Sequence, residues 1–195
     1  AEACDLKPGE AVCVIGTGKI GLLSIMSAKL MGASPVIAVD VEQSRLDRAL
    51  ELGADAAFNA NEVDVISEVK AITPSAIGHP AGYGPEAIIL CVRQGQVLNQ
   101  AMEMGMQGAR IIVAGFIPKT EIDPELLVLK QLTLSGVLAG RFGENRNNGV
   151  RALRILANKQ MRPRELITDT MHYPDIQKAI DSTIRGENLA VLLRP

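Results

Sequence analysis

Apolar runs and helical stretches alternate along most of the chain. Several of the apolar runs are continuous instead of alternating with polar residues, which is typical of strands that helices cover on both faces. The predicted strands are AVCVIG (11–16), PVIAVD (35–40), AAFN (56–59), EAIILCV (86–92), RIIVAG (110–115) and LTLSGVLA (132–139). The continuous runs predict that these strands form a parallel sheet.

Apolar residues at helical spacing predict helices between these strands. The three clearest are KIGLLSIMSAKLMG (19–32), SRLDRALELG (44–53) and QVLNQAMEMG (96–105). Each ends at a glycine, which predicts a left-handed residue that closes the helix. The alternation predicts a single α/β domain over residues 1–195, a doubly wound six-stranded parallel sheet of the Rossmann type with strand order 3-2-1-4-5-6.

The remaining segments follow a different pattern. A stretch rich in glycine and proline, TPSAIGHPAGYGP (73–85), predicts a long surface loop. Two amphipathic helices are predicted at 144–160 and 174–186, the second starting at Pro174 and ending at Gly186. A last apolar run, LAVLL (189–193), closes the chain.

Composition excludes several classes of protein. Of the 195 residues, 47% are hydrophobic and 22% charged, and the net charge of -2 argues against disorder and against nucleic acid as a partner. No apolar run reaches the roughly 18 residues of a membrane span, and the first ten residues lack signal-peptide features, so we expect a cytoplasmic protein. The spacing of its cysteines and histidines predicts free buried thiols and no metal site. These residues are Cys4, Cys13, Cys91, His79 and His172.

The stretch CVIGTGKIG carries three glycines at the spacing G-x-G-x-x-G. The motif follows a predicted strand and opens a predicted helix, which is the context of a dinucleotide-binding fingerprint. In that fingerprint Gly16 permits the tight turn, Gly18 lets the backbone approach a pyrophosphate, and Gly21 allows close packing of the helix. The N–H groups of Lys19 and Ile20 then lie at a helix N-terminus, where an anion binds. The alternative is a purely structural glycine turn.

An acidic residue follows the motif at the distance that the fingerprint expects. Asp40 ends the second predicted strand, about 20 residues further along the chain, where a carboxylate accepts hydrogen bonds from the adenosine ribose. Because a carboxylate repels a 2'-phosphate, Asp40 favours NAD over NADP. Arg45 can reach the same ribose, or it can be a surface arginine paired with an acid.

These residues resemble the coenzyme domain of the zinc-containing medium-chain alcohol dehydrogenases, especially the threonine and polyol dehydrogenase branches. The resemblance rests on DLKPGEAVCVIGTGKIG, on VIAVD with the R-L-x-x-A helix and L-G-A-D turn after it, and on GARIIVAGF, LTLSGVLAGRF and GENLAVLL. It therefore covers nearly the whole chain.

The resemblance implies a set of contacts at the nicotinamide end of the coenzyme and one near the pyrophosphate. The residues at the nicotinamide end are Val92, Ala114, Gly115, Val137 and Ala139, and the residue near the pyrophosphate is Arg141. Two positions depart from the family pattern. Arg93 replaces a common glycine, which affects the adenine side, and Ala190 replaces a common basic residue, which weakens phosphate affinity.

The resemblance also implies that half of the enzyme lies elsewhere. The family's catalytic zinc ligands and most of its substrate pocket belong to an N-terminal domain that nothing here matches, and the segment 165–195 returns to that domain. We therefore expect the NAD-binding domain of a zinc-dependent alcohol, polyol or threonine-type dehydrogenase, inactive alone, with no catalytic residue of its own. The resemblance further implies a homodimer through the sixth strand (132–139).

Three alternatives stay open at this point. One is a zinc-free enone or quinone reductase that uses NADPH, against which Asp40 argues. Another is a non-catalytic NAD-binding or redox-sensing module. The third is a methyltransferase, since these enzymes also combine a glycine-rich first turn with an acid after the second strand, although the G-x-G-x-x-G spacing favours NAD.

Overall fold

Six short strands form the central sheet of the computed structural model, which describes residues 1–73, 82–138 and 148–195. They are β1 (Val12–Ile15), β2 (Val36–Asp40), β3 (Ala56–Asn59), β4 (Ala87–Leu90), β5 (Arg110–Val113) and β6 (Thr133–Gly136). All five neighbouring pairs are parallel, and the order is β3-β2-β1-β4-β5-β6. The predicted fold class and strand order are confirmed.

The centre of the sheet explains the continuous apolar runs. In register, Val14 of β1 lies between Ala38 of β2 and Ile89 of β4. Every residue of these three strands is buried, because helices cover both faces. A strand covered on both faces offers no position for a polar side chain except at its ends, and Asp40 occupies such an end.

Within the described residues, seven α-helices surround the sheet and the C-terminal strands. They are α1 (Lys19–Leu30), α2 (Gln43–Glu51), α3 (Val65–Ile72), α4 (Gln96–Met104), α5 (Pro124–Leu129), α6 (Asn148–Ala157) and α7 (Ile176–Ile184). Leu22 of α1 and Leu46 of α2 belong to the core on one face of the sheet. Val69 of α3 and Met102 of α4 belong to the core on the other face. The doubly wound arrangement therefore places the carboxyl ends of all six strands at one edge.

The predicted left-handed glycines are confirmed after two of three helices, α1 and α2, and the glycine predicted to end α7 also lies in the left-handed region. Gly32, Gly53 and Gly186 have φ values of 85°, 112° and 76°, in the left-handed region. The prediction is wrong for Gly105, which follows α4 in an extended conformation with φ of -61°. A Cβ at Gly105 would lie 2.8 Å from the Ala109 Cβ, so a close contact, and not backbone twist, requires glycine there.

Three elements of the structure, α3, α5 and β7 (Asp169–His172), are absent from the predicted set. Helix α3 has apolar residues at Val65 and Val69, and its N-cap Asp64 accepts a hydrogen bond from the Ile66 N–H. Helix α5 is too short for a periodic signal. Strands β7 and β8 (Val191–Arg194) pair in parallel as a separate two-stranded sheet, which includes most of the predicted LAVLL run.

The predictions for the cysteines, the 73–85 loop and the sixth strand have different outcomes. Cys4 and Cys13 are buried free thiols as predicted, and Cys91 is half-buried. Most of the predicted 73–85 loop, with His79, lies outside the described residues. Strand β6 ends the sheet, and its Gly136 is exposed, so the homodimer through 132–139 stays a prediction. None of the helices in the described ranges combines the length and apolar character that crossing a bilayer requires.

Candidate functional site

The loop between β1 and α1 is built on close backbone contacts. Gly16 follows β1 with φ of 92°, a conformation that favours glycine. A Cβ at this position would lie 2.6 Å from Val92 Cγ1 and 3.1 Å from the Cys91 carbonyl carbon. Both the backbone conformation and the neighbouring β4 segment therefore exclude a side chain at Gly16.

The other two glycines of the motif serve different purposes. A Cβ at Gly21 would lie 1.8 Å from the Gly16 carbonyl oxygen, so the first turn of α1 packs directly on the loop. A Cβ at Gly18 would meet no atom of the described residues within 4 Å. Because none of these residues requires Gly18 to lack a side chain, the space that they leave beside it is available to a ligand.

The N-terminus of α1 presents unpaired donors to this space. The first α-helical hydrogen bond runs from the Leu22 N–H to the Gly18 carbonyl at 2.9 Å. In the part of the chain that the structure describes, the N–H groups of Gly18, Lys19 and Ile20 donate no hydrogen bond. Such donors, aligned with the helix dipole, attract an anion. The side chains of Lys19 and Ile20 are exposed, so they do not obstruct it.

Asp40 connects this loop to the start of α2. Its Oδ2 accepts hydrogen bonds from the Thr17 N–H at 2.6 Å and from Thr17 Oγ1 at 2.9 Å. Its Oδ1 accepts from the Val41 N–H at 2.8 Å and the Glu42 N–H at 3.1 Å. The carboxylate is buried, and Arg45 Nη1 lies 3.9 Å from Oδ1. The fingerprint acid is thus within hydrogen-bonding distance of the glycine loop.

A cavity of about 380 Å³ opens beside the loop. Gly18 and Lys19 line it from α1, and Arg45 and Arg48 line it from α2. The opposite wall includes Thr168, Thr183 and the residues 186–189 after α7. The C-terminal segment therefore completes a cavity whose first wall is the glycine motif.

Cationic side chains outnumber acidic ones among the residues that line the cavity. Lys19, Arg45 and Arg48 line it with one acid, Glu187. Arg48 is also paired with Glu51, and Arg45 Nη1 lies 3.9 Å from Asp40 Oδ1. Glu187 is itself paired with Arg185, whose hydrogen bond holds the pKa of this exposed carboxyl below its usual range. This balance matches the unpaired N–H groups of α1, since both favour a negatively charged ligand.

The loops after β4 and β5 form the next part of the same edge. A Cβ at Gly115 would lie 2.0 Å from the Val92 carbonyl oxygen, so the two loops cross with no room for a side chain. The N–H groups of Ala114 and Gly115 both donate to the Leu90 carbonyl, at 2.9 and 3.0 Å. Val92 therefore lies between Gly115 and Gly16 and joins these loops.

One of the predicted residues after β6, Val137, lies beside the end of β5. The Val137 N–H donates to the Val113 carbonyl at 3.0 Å and so extends the ladder by one residue. Its side chain is 43% exposed at the outer edge of the sheet. Ala139 and Arg141 fall outside the described residues. The structure thus brings the predicted residues after β1, β2, β4 and β5 together, and Val137 lies beside the end of β5 at the outer edge of the sheet.

Both departures from the family pattern lie within the described residues. Arg93 is exposed, and its N–H donates to Gln94 Oε1 at 3.2 Å. The Ala190 carbonyl accepts from the Thr168 N–H at 2.9 Å, and its side chain carries no charge. The cavity keeps its cationic character in spite of Ala190, because Arg45 and Arg48 line it.

A zinc centre requires a close arrangement of ligand side chains. In residues 1–73, 82–138 and 148–195, no three histidine, cysteine, aspartate or glutamate side chains come close enough together to hold a metal ion. The described residues therefore do not fit a zinc centre, and no step of the chemistry is assigned to zinc in this chain.

Sequence reasoning missed three residues of the site. Thr17 is the variable position of the G-x-G turn, and a hydroxyl one residue beyond a buried strand is its only signal. Arg48 lies one helical turn after Arg45 on α2, so a search for cations on one helix face would have found it. Asn188 lines the cavity from the distant C-terminal segment, and no local pattern indicates that position.

Comparisons with known proteins agree with this geometry. A family model described as zinc-binding dehydrogenase matches residues 20–157. The L-threonine 3-dehydrogenase of Symbiobacterium thermophilum is 28% identical over 188 residues, which cover 95% of this chain and 51% of that protein. The chain spans about half the length of the curated relatives it matches.

Solved structures share the fold along the whole chain. The 2R,3R-butanediol dehydrogenase of Bacillus subtilis superimposes with a TM-score of 0.86 at 25% identity, over 100% of this chain and 53% of that chain. The alcohol dehydrogenase of Thermus sp. ATN1 gives a TM-score of 0.84 at 27% identity, over 98% and 53%. Because the family model covers most of the chain, the protein belongs to the zinc-binding dehydrogenase family.

Proposed function

We propose that this chain is the NAD-binding part of a zinc-dependent dehydrogenase that interconverts an alcohol and a carbonyl compound. The observation that carries the proposal is the open space over Gly18, at a helix N-terminus with unpaired N–H groups and beside Asp40. Family membership supports the oxidoreductase class, and the names of the relatives support an alcohol as the substrate class.

The pyrophosphate is assigned to the N-terminus of α1. The N–H groups of Gly18, Lys19 and Ile20 are donors that a dinucleotide's phosphates satisfy, and the helix dipole adds to the attraction. Arg45 and Arg48 contribute positive charge to the same cavity. The absence of a side chain at Gly18 allows the phosphates to approach the backbone, which is the role of the second glycine in the fingerprint.

The adenosine ribose is assigned to Asp40. A carboxylate at the end of the second strand accepts hydrogen bonds from the ribose hydroxyls and repels a 2'-phosphate. Asp40 stands at that position, and its hydrogen bonds to Thr17 fix it against the glycine loop. The proposal is therefore NAD and not NADP.

The nicotinamide is assigned to the edge formed by Val92, Ala114 and Gly115. When bound, a nicotinamide cofactor supplies the hydride acceptor or donor for the reaction. This chain's own contribution there is shape: Val92 and Gly115 pack without space for an intervening side chain. The electrophile and most of the substrate pocket are assigned to the part of the protein outside this chain, so the chain alone is expected to be inactive.

Calorimetric titration of the chain with NADH and with NADPH tests the proposal. We expect NADH to bind more tightly, and replacement Asp40→Ser to weaken NADH binding by about 1–3 kcal/mol, the value of a hydrogen bond to a charged group. The same variant should narrow the difference between NADH and NADPH. Asp55→Ser is the matched control, because Asp55 accepts from the Val36 N–H at the opposite end of β2.

Three results would contradict the proposal. A folded wild-type chain that binds neither dinucleotide would remove the assignment of the cavity. Tighter binding of NADPH would instead favour the reductase alternative, in which Arg45 and Arg48 receive the 2'-phosphate. Equal losses of NADH affinity in Asp40→Ser and Asp55→Ser would show that the effect of Asp40 is only structural.

A further inference from the structure

The Asp40 carboxylate has no vacant acceptor position. A carboxylate offers about four lone-pair sites, two on each oxygen. Thr17 fills both sites of Oδ2, through its N–H and its hydroxyl, and the Val41 and Glu42 N–H groups fill those of Oδ1. Two ribose hydroxyls cannot be added to this set without displacing a donor already present.

The four donors differ in how readily they can leave. The Val41 and Glu42 N–H groups belong to the backbone that leads into α2, and the Thr17 N–H belongs to the rigid turn beside Gly16. Moving any of them requires a shift of the main chain. The Thr17 hydroxyl, by contrast, leaves Oδ2 by rotation of a single side-chain bond.

Thr17 itself is not available to a ligand. Its relative exposure is 0%, whereas Asp40 retains 8%. An influence of Thr17 on a bound cofactor therefore has to pass through Asp40. This makes Thr17 a positioning residue that competes with the cofactor for one oxygen atom.

Resting on the function proposed above, we infer that the Thr17 hydroxyl regulates cofactor affinity by occupying the Oδ2 position that a ribose hydroxyl takes. Binding exchanges one hydrogen bond of Asp40 for another and leaves the buried Thr17 hydroxyl to find a new partner. A buried hydroxyl without a partner is costly, so this exchange reduces the affinity that Asp40 would otherwise provide. Thr17 thus sets how strongly the ribose is held.

The variant Thr17→Val tests the inference because it removes the hydroxyl and keeps the shape of the side chain. The free protein loses one hydrogen bond of a buried carboxylate, so its melting temperature should fall by about 2–4 °C. In the same variant nothing has to be displaced from Oδ2. NADH should therefore bind about five- to tenfold more tightly than to the wild type.

Two controls isolate the exchange. Thr17→Ser keeps a hydroxyl and should bind NADH as the wild type does. An NADH analogue whose adenosine ribose lacks both hydroxyls should bind wild type and Thr17→Val with equal affinity, because it has no hydroxyl that donates a hydrogen bond to Asp40 Oδ2. If Thr17→Val does not fold, Thr17→Ala takes its place with the same expected direction.

The outcomes separate this inference from the proposed function. Wild type that fails to bind NADH would overturn the function itself. Wild type that binds NADH, with equal or weaker binding by the variants lacking the hydroxyl, would overturn only the role of Thr17. A gain of the same size with the ribose-modified analogue would also overturn it, since the gain would then arise elsewhere than at Asp40.

Discussion

Strand β2 and the loops around β4 and β5 are held in place by different means. In the half formed by β1, β2 and β3, carboxylates hold β2 at both ends. At the carboxyl end Asp40 accepts four hydrogen bonds from neighbouring loops. At the amino end Asp55 accepts from the Val36 N–H at 2.7 Å and from Lys29 Nζ at 2.8 Å. Carboxylate side chains therefore hold both ends of β2.

In the half formed by β4, β5 and β6, glycines allow backbone segments to cross. A Cβ at Gly115 would lie 2.0 Å from the Val92 carbonyl oxygen, and one at Gly84 would lie 2.1 Å from the Met104 carbonyl oxygen. These contacts depend on the absence of side chains, as does that of Gly21 with the Gly16 carbonyl oxygen in the first half. The comparison shows that such a carboxylate can be recognised in the sequence from its residue type and position. The sequence does not indicate which backbone segment a given glycine approaches in the fold.

The largest effect is expected in the second half, from Gly115→Ala. The added methyl would overlap the Val92 carbonyl, and relief requires movement of main chain, so we expect a loss of about 3 kcal/mol in the free energy of unfolding. Urea unfolding monitored by circular dichroism measures it. Gly136→Ala on β6 is the control, because no atom of the described residues lies within 4 Å of its Cβ. Equal stability of the two variants would show that the close contact between Gly115 and Val92 does not require glycine.

The same contrast explains what the sequence could predict. The fully buried strands β1, β2 and β4 follow from continuous apolar runs, and Asp40 stands out as the one acid among them. The contact between Gly115 and Val92 follows only from the fold, since residues distant in sequence meet there. The hydrogen bonds of Thr17 depend on how the loop turns, and the cavity wall at 186–189 comes from a segment far along the chain.

The second-largest effect is expected from a substitution within the glycine motif, at Gly18. Gly18→Val should leave the fold intact, because its Cβ would meet no atom of the residues that the structure describes, and its φ of -68° and ψ of -170° suit valine. The side chain would occupy the space assigned to the pyrophosphate, so we expect NADH affinity to fall about 100-fold, or about 2.7 kcal/mol. Calorimetric titration measures the loss, and Gly149→Val, also in open space, should bind normally. Normal binding by Gly18→Val would refute the placement of the pyrophosphate.

The smallest effect on stability is expected from replacing Asp55, the carboxylate at the amino end of β2. Burial by itself raises the pKa of Asp55, but hydrogen bonds from Lys29 and from the Val36 N–H outweigh it and hold the pKa below its usual range. A carboxyl with a lowered pKa in the folded state stabilises the protein above its unfolded pKa of about 3.9, and this contribution is lost as the pH falls through the folded value.

We therefore expect the wild type to be more stable than Asp55→Asn by less than about 1 kcal/mol, since the pair with Lys29 is exposed and screened. The difference in the free energy of unfolding should stay constant between about pH 7 and pH 5 and shrink below about pH 4. Urea titrations at several pH values measure it. Because Lys29→Met removes only the ionic partner, it should retain the part of the pH dependence that comes from the Val36 N–H. A difference that grows on acidification would show that ionised Asp55 does not stabilise this end of β2.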